Sequence, residues 1–100
     1  MFTWADGSIY DGQWSKSKKS GQGKMTWLSG EQYSGGWKDG QKEGHGVHTW
    51  QGNIYDGQWS KSKRNGKGKM TFSDGAQYIG SWVNGKREGH GVYTYDNGRF

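Results

Sequence analysis

Cysteine is absent from the 100-residue sequence, so neither a disulfide framework nor a thiolate metal site is available. That composition fits a reducing compartment. Branched and small aliphatics are scarce: nine residues are Ala, Val, Ile or Leu. A globular core is normally filled by such residues in well-defined rotamers, and there are too few here to build one. No apolar run approaches the length of a membrane span and no signal peptide opens the chain, so a soluble protein without a transmembrane segment is expected. Low hydrophobicity with 20 glycines would suit disorder, but 16 aromatics argue against it, since each ring can bury a large area. The expectation is a thin fold with rings as packing material. A formal charge of +5 favours acidic partners in general, whether lipid headgroups, nucleic acid or peptides.

What is present repeats. Tyr10, Tyr33, Tyr55 and Tyr78 are spaced by 23, 22 and 23 residues, and Trp14, Trp37, Trp59 and Trp82 keep the same steps. So do the pairs Gly21/Gly23, Gly44/Gly46, Gly66/Gly68 and Gly89/Gly91. A third aromatic column runs Trp4, Trp27, Trp50, Phe72, Tyr95, and a turn column runs Gly7, Gly30, Gly52, Gly75, Gly98. A 45-residue period lies above this, with IYDGQWSKSK at Ile9–Lys18 and again at Ile54–Lys63. Near-identity of this kind marks a recent duplication or a designed array, and both stay open.

Each unit reads Y-x-G-x-W, six polar residues, G-x-G-x-x-T-aromatic and a short glycine turn. Alternation argues for strands. The six-residue connections (Ser15–Ser20, Lys38–Glu43, Ser60–Asn65, Val83–Glu88) and the glycine turns suit hairpins. Period two puts Tyr10, Gly12 and Trp14 on one face with Gly21, Gly23, Met25 and Trp27. Folding about residues 15–20 sets Tyr10 opposite Met25 and Trp14 opposite Gly21. The glycines then let a Trp ring lie flat across the neighbouring strand.

These motifs, best seen in YIGSWVNGKREGHGVYTYDNG at Tyr78–Gly98, resemble the MORN repeat (membrane occupation and recognition nexus) over essentially the whole chain. SKSKKS and SKSKRN depart from the usual NGKR-like turn. The resemblance implies an all-β fold: a single-layer, elongated antiparallel β-meander of tandem hairpins. It forms one array over residues 1–100, with a half-unit at 1–9 and repeats at 10–32, 33–54, 55–77 and 78–100. The start in mid-unit reads as an excised or engineered segment with two open sheet edges, which invite pairing with another chain.

Catalytic and metal chemistry find no foothold. His45 and His48, three apart in a strand, face opposite ways and cannot share an ion; His90 repeats His45. The carboxylates fall at turns or on outward faces, without a dyad, and no Ser stands in a triad motif. Gly80–Lys86 nearly spells a phosphate loop, but Arg87 stands where Ser or Thr must reach the metal. No enzyme activity and no cofactor are expected.

Two surfaces remain as candidates. The aromatic face (Tyr10, Trp14, Trp27, Tyr33, Trp37, Trp50, Tyr55, Trp59, Tyr78, Trp82) is the core of the ribbon, and where left open it suits a partner. Base stacking is the least favoured use of its rings. The polar turns gather the basic residues along one edge: Lys16, Lys18, Lys19, Lys61, Lys63, Arg64, Lys86 and Arg87, with Lys38 and Lys42. The opposite edge carries Asp6, Glu31, Asp74 and Asp96. The expected function is a non-catalytic scaffold binding a protein or peptide, or itself as a dimer or end to end. It would reside in the cytoplasm, or peripherally at a membrane or the cytoskeleton. The alternatives are peripheral binding to acidic phospholipids through the basic edge, an accessory domain excised from a larger enzyme, and a designed array with no native function.

Overall fold

The computed structural model describes residues 1–95. Gly98 of the turn column and Asp96 of the acidic edge therefore lie outside the described residues. Among those described there is no helix. The strands are β1 (Phe2–Thr3), β2 (Ile9–Ser15), β3 (Lys18–Thr26), β4 (Gln32–Lys38), β5 (Gln41–Trp50), β6 (Asn53–Ser60), β7 (Lys63–Thr71), β8 (Gln77–Val83) and β9 (Lys86–Thr94). They form one antiparallel sheet in chain order, 46 × 24 × 16 Å in extent. The thin all-β meander of hairpins read from the sequence is what the chain adopts.

The hairpins differ from the expectation in how they close. The polar six-residue connections are not loops: the strands continue through them and meet at two-residue turns. Lys16-Ser17, Asp39-Gly40, Lys61-Ser62 and Asn84-Gly85 all have positive φ at both positions. This is the type I′ geometry, whose twist matches the flanking strands. SKSK therefore supplies the same turn as DG and NG. Gln51-Gly52 makes a further such turn between β5 and β6, where the other units spend three residues (Leu28–Gly30, Ser73–Gly75). The 22-residue step is thus one residue removed from a turn, and the strand registers are untouched.

The continued strands change the register. Tyr10 pairs with Met25 as expected, and Gly12 with Gly23. An irregularity then intervenes, and Trp14 faces Lys19 instead of Gly21. Every hairpin repeats this slip, pairing Trp37 with Lys42, Trp59 with Arg64 and Trp82 with Arg87. The first glycine of each pair sits in the slip: Gly21, at φ 79°, adopts a backbone that L side chains rarely take. The second glycine has the other task. Gly12, Gly23, Gly35, Gly46, Gly57, Gly68, Gly80 and Gly91 stand in one unbroken row across β2–β9. The rings lying on this row are tyrosines, not the tryptophans expected. A Cβ at Gly23, Gly46, Gly68 or Gly91 would run into Tyr10, Tyr33, Tyr55 or Tyr78 respectively. Each tyrosine then reaches past the row and donates its hydroxyl hydrogen to a carbonyl three residues on, as Tyr10 does to Gln13 at 2.8 Å and Tyr33 to Gly36 at 2.9 Å.

The core is therefore a line of rings. Tyr10, Trp37, Tyr33, Trp59, Tyr55, Trp82 and Tyr78 follow one another edge to face, with centroids 5.0 to 5.7 Å apart. Such pairs add about 0.5–1.5 kcal/mol each beyond the area they bury. Met25 and Met70 fill the gaps, and Trp4, Trp27, Trp50 and Phe72 pack against the line from the glycine-turn side. This zipper replaces the second layer that a single sheet lacks.

Candidate functional site

The aromatic face and the basic edge, separate surfaces in the sequence reading, meet in the structure. The slip that pairs each tryptophan with a cation sets Lys19, Lys42, Arg64 and Arg87 over the rings. Lys19 Nζ lies 5.1 Å from Trp4, 5.7 Å from Tyr10 and 5.2 Å from Trp37. Lys42 repeats this over Trp27, Tyr33 and Trp59, and the Arg64 guanidinium over Trp50, Tyr55 and Trp82, the last at 4.6 Å. Arg87 lies over Tyr78 and Tyr93. Lys19 and Arg64 are therefore half-buried, not on the open edge as expected, with their charged ends over ring faces; Arg87 stays exposed as expected, although its guanidinium lies over two rings. Lys16, Lys18, Lys61, Lys63 and Lys86 remain exposed at the turns. A signal for the difference exists in the sequence: Lys19, Lys42, Arg64 and Arg87 form a column with the same 23, 22 and 23 steps as the rings.

Burial lowers the pKa of Lys19, Lys42 and Arg64; a charge from Glu31 partly offsets this at Lys42. Among the described residues the only ion pairs involve histidine: His45 with Asp56 at 2.6 Å on the far face, and His48 with Glu31 on the aromatic face. Lys19, Lys42, Arg64 and Arg87 thus form a ladder of cations over rings, and none of the four is neutralised by a contacting carboxylate among the described residues. His48 stacks on Trp50 at 4.6 Å, and its pKa is lowered, chiefly by burial, against the pull of Glu31.

The ten aromatic-face residues divide by accessibility. Tyr10, Tyr33, Trp37, Tyr55, Trp59, Tyr78 and Trp82 are buried in the zipper and offer little area to a partner. Trp27 and Trp50 are half-buried, and Trp14 is 41% exposed. Trp37 and Trp59 donate their indole N–H to Gly23 and Gly46 carbonyls, whereas the buried Trp82 Nε1 has no acceptor within reach.

Two clefts open beside the ladder. One, of 380 Å³, is lined by His48, Trp59, Ser62 and Lys63; the other, of 370 Å³, by Phe72, Trp82, Lys86 and Arg87. Trp50, Arg64 and Gly85 form their common wall. On the far face a shallow groove of 570 Å³ follows the glycine row, flanked by His45, Asp56, Lys67, Lys69, Ile79 and Val92. Among the described residues no cluster of three His, Asp or Glu could hold a metal ion, and no helix is long and apolar enough to cross a membrane.

The buried tyrosines make stability depend on alkaline pH. Burial, the largest cause, pushes Tyr55 up to about 12 from 10.0, and raises Tyr10 and Tyr33 as well. A raised tyrosine contributes stability that is whole below the unfolded value of 10.0 and lost as pH climbs through the folded value. Lys19, Lys42 and Arg64, all lowered, act in the opposite sense; the lysines' contribution is complete once pH passes 10.5, and above it three tyrosines titrate against a single guanidinium. Urea unfolding at stepped pH should therefore show a steady loss between pH 10.5 and about 12. A midpoint that stays flat over that interval would mean the hydroxyls are hydrated in the folded state.

A sheet of repeated ring-lined hairpins, each paired with the next, defines a β-repeat protein of the open-ribbon kind. The family model for the MORN repeat matches residues 10–32, 33–53, 55–77 and 78–98, and the chain belongs to that family. A comparison with curated proteins gives no match.

Proposed function

We propose that the chain is a non-catalytic scaffold module that binds another protein, or a second copy of itself, through the aromatic face. MORN repeats are binding and scaffold modules in general. The observation that carries the finer reading is the row Trp27, Trp50 and Phe72. These rings pack against the zipper yet stay half-buried, and no second layer of the fold covers them. Partly open aromatic rings, with an arginine among them as at Trp50 and Arg64, are the residues enriched at the centres of interfaces. The test compares solution mass and cross-linked capture for the wild type, Trp27→Ser/Trp50→Ser and Lys24→Ser/Lys69→Ser, each first shown to keep its strand spectrum. Association should be lost in the first variant and kept in the second, whose changes lie on the far face. The reverse pattern would move the binding surface to the glycine groove.

The exposed turn lysines favour a second reading, peripheral attachment to acidic phospholipids. A basic residue close to an anionic leaflet contributes about 1 kcal/mol. Lys16, Lys18, Lys61, Lys63 and Lys86 share one edge. Co-sedimentation with phosphatidylserine vesicles should then exceed that with neutral vesicles and fade with salt; equal sedimentation with both sinks this reading.

A further inference from the structure

We propose that the two clefts beside Arg64 are repeat-equivalent sockets for anions, and that together they take an acidic polypeptide segment bearing carboxylates at their spacing. This rests on the reading of the aromatic face as the partner surface. The equivalence is residue by residue. His48, Trp50, Trp59, Lys63 and Arg64 around the first cleft recur one repeat later as Met70, Phe72, Trp82, Lys86 and Arg87 around the second. Each socket thus has an aromatic wall, a tryptophan floor, a turn lysine and a guanidinium.

The charge is one-sided. Lys63, Arg64, Lys86 and Arg87 line the pair, and neither cleft has a carboxylate in its wall. The acids close by are already engaged: Glu31 is bonded to His48, and Glu43 accepts from the Lys61 backbone N–H. Arg64 sits at the shared wall, half-buried over Trp82, with one N–H on the Gly85 carbonyl at 3.0 Å. A guanidinium in that position gains most from a carboxylate, which it can meet through two parallel hydrogen bonds. The walls set the rest of the ligand: Trp50 and Phe72 ask for an apolar side chain beside each acid. A side chain can enter such a cleft; the plane of a bilayer would meet the exposed turn lysines instead. Two strand steps at ~4.8 Å put the sockets about 10 Å apart, which an extended peptide spans in three residues at ~3.3 Å each.

The test titrates the intact chain with a synthetic ten-residue peptide carrying two Glu-Leu pairs whose carboxylates lie three residues apart. Controls are the same peptide with Gln for Glu, and phosphatidylserine vesicles. The indole resonances of Trp50 and Trp82 should move on addition of the acidic peptide. Lys63→Glu/Lys86→Glu should weaken binding by about tenfold or more, since hydrogen bonds to charged groups are worth at least that. Lys24→Glu/Lys69→Glu, the same charge change on the far face, should leave it nearly unaltered. Equal losses in the two variants would mean general attraction and overturn the sockets. So would binding to the vesicles alone. If the Gln peptide binds as well and moves the same indoles, the anion assignment falls while the aromatic face stands as a partner surface. If neither peptide moves them, the assignment falls too, and the association experiments above still decide the broader reading.

Discussion

Tyr33→Ala is expected to lower the unfolding free energy by about 3–5 kcal/mol, the range for removing a buried aromatic side chain. Tyr33 has 0% exposure and lies mid-zipper, 5.0 Å from Trp37 and 5.3 Å from Trp59. Its loss opens a cavity that the neighbouring strands cannot close, because the glycine row beneath them has no side chains to move in. It also removes the ring that Lys42 covers at 5.5 Å and the hydroxyl bonded to Gly36. Small domains hold only about 5–15 kcal/mol in total, so the variant should be partly unfolded at modest urea concentrations. Tyr33→Phe separates the causes, since it gives up the hydrogen bond alone and should lose about 1 kcal/mol. An alanine variant as stable as the phenylalanine one would show that the zipper is not the core.

Gly68→Val should be nearly as damaging, for the converse reason. A Cβ at Gly68 would collide with the hydroxyl end of the Tyr55 ring, so the ring must leave the glycine row and surrender its bond to the Gln58 carbonyl. Overpacking of this kind costs about 1–3 kcal/mol, and here the buried hydroxyl left without an acceptor adds about 1–3 more. Lys67→Val is the control: one residue away, it faces the far side, where its Nζ reaches Ser81 at 3.0 Å. Thermal unfolding of both variants, alone and with Tyr55→Ala, decides the matter. Removing the ring first should relieve much of the Gly68→Val penalty. Independent, additive losses would refute the claim that this ring rests on this glycine.

The sheet was legible because its information is periodic. Tyr10 opposite Met25, the alternation of faces and the meander all follow from columns that repeat in register. The hairpin ends were not, for a reason visible in Lys18–Ser20 and Lys63–Asn65. Strand ends made of Lys, Ser and Asn carry no hydrophobic alternation, so a continued ladder looks like a polar loop. The misplacement of Trp14 against Gly21 follows from that, because the slip depends on a left-handed glycine backbone that residue type alone does not announce. The charge of Lys19 and Arg64 points to solvent, but the register turns both inward and sets their cationic ends over rings, while Arg87 on the last hairpin keeps the exposure its charge suggests. The clefts beside Arg64 were missed with them. Charge column and ring column had to be overlaid in space before either showed what the other was for.

The order of the strands in the sheet is their order in the chain. Each strand completes its ladder with the segments just before and just after it, so no distant parts of the polypeptide must find one another. Contact order is correspondingly low for an all-β protein, and the slow search that usually delays such folds is largely avoided. A hairpin formed anywhere can seed its neighbours in both directions, and stability becomes a sum over units and the junctions between them. The molecule therefore behaves less like a single switch than like a zip fastener, able to fray from an end while its middle stays closed.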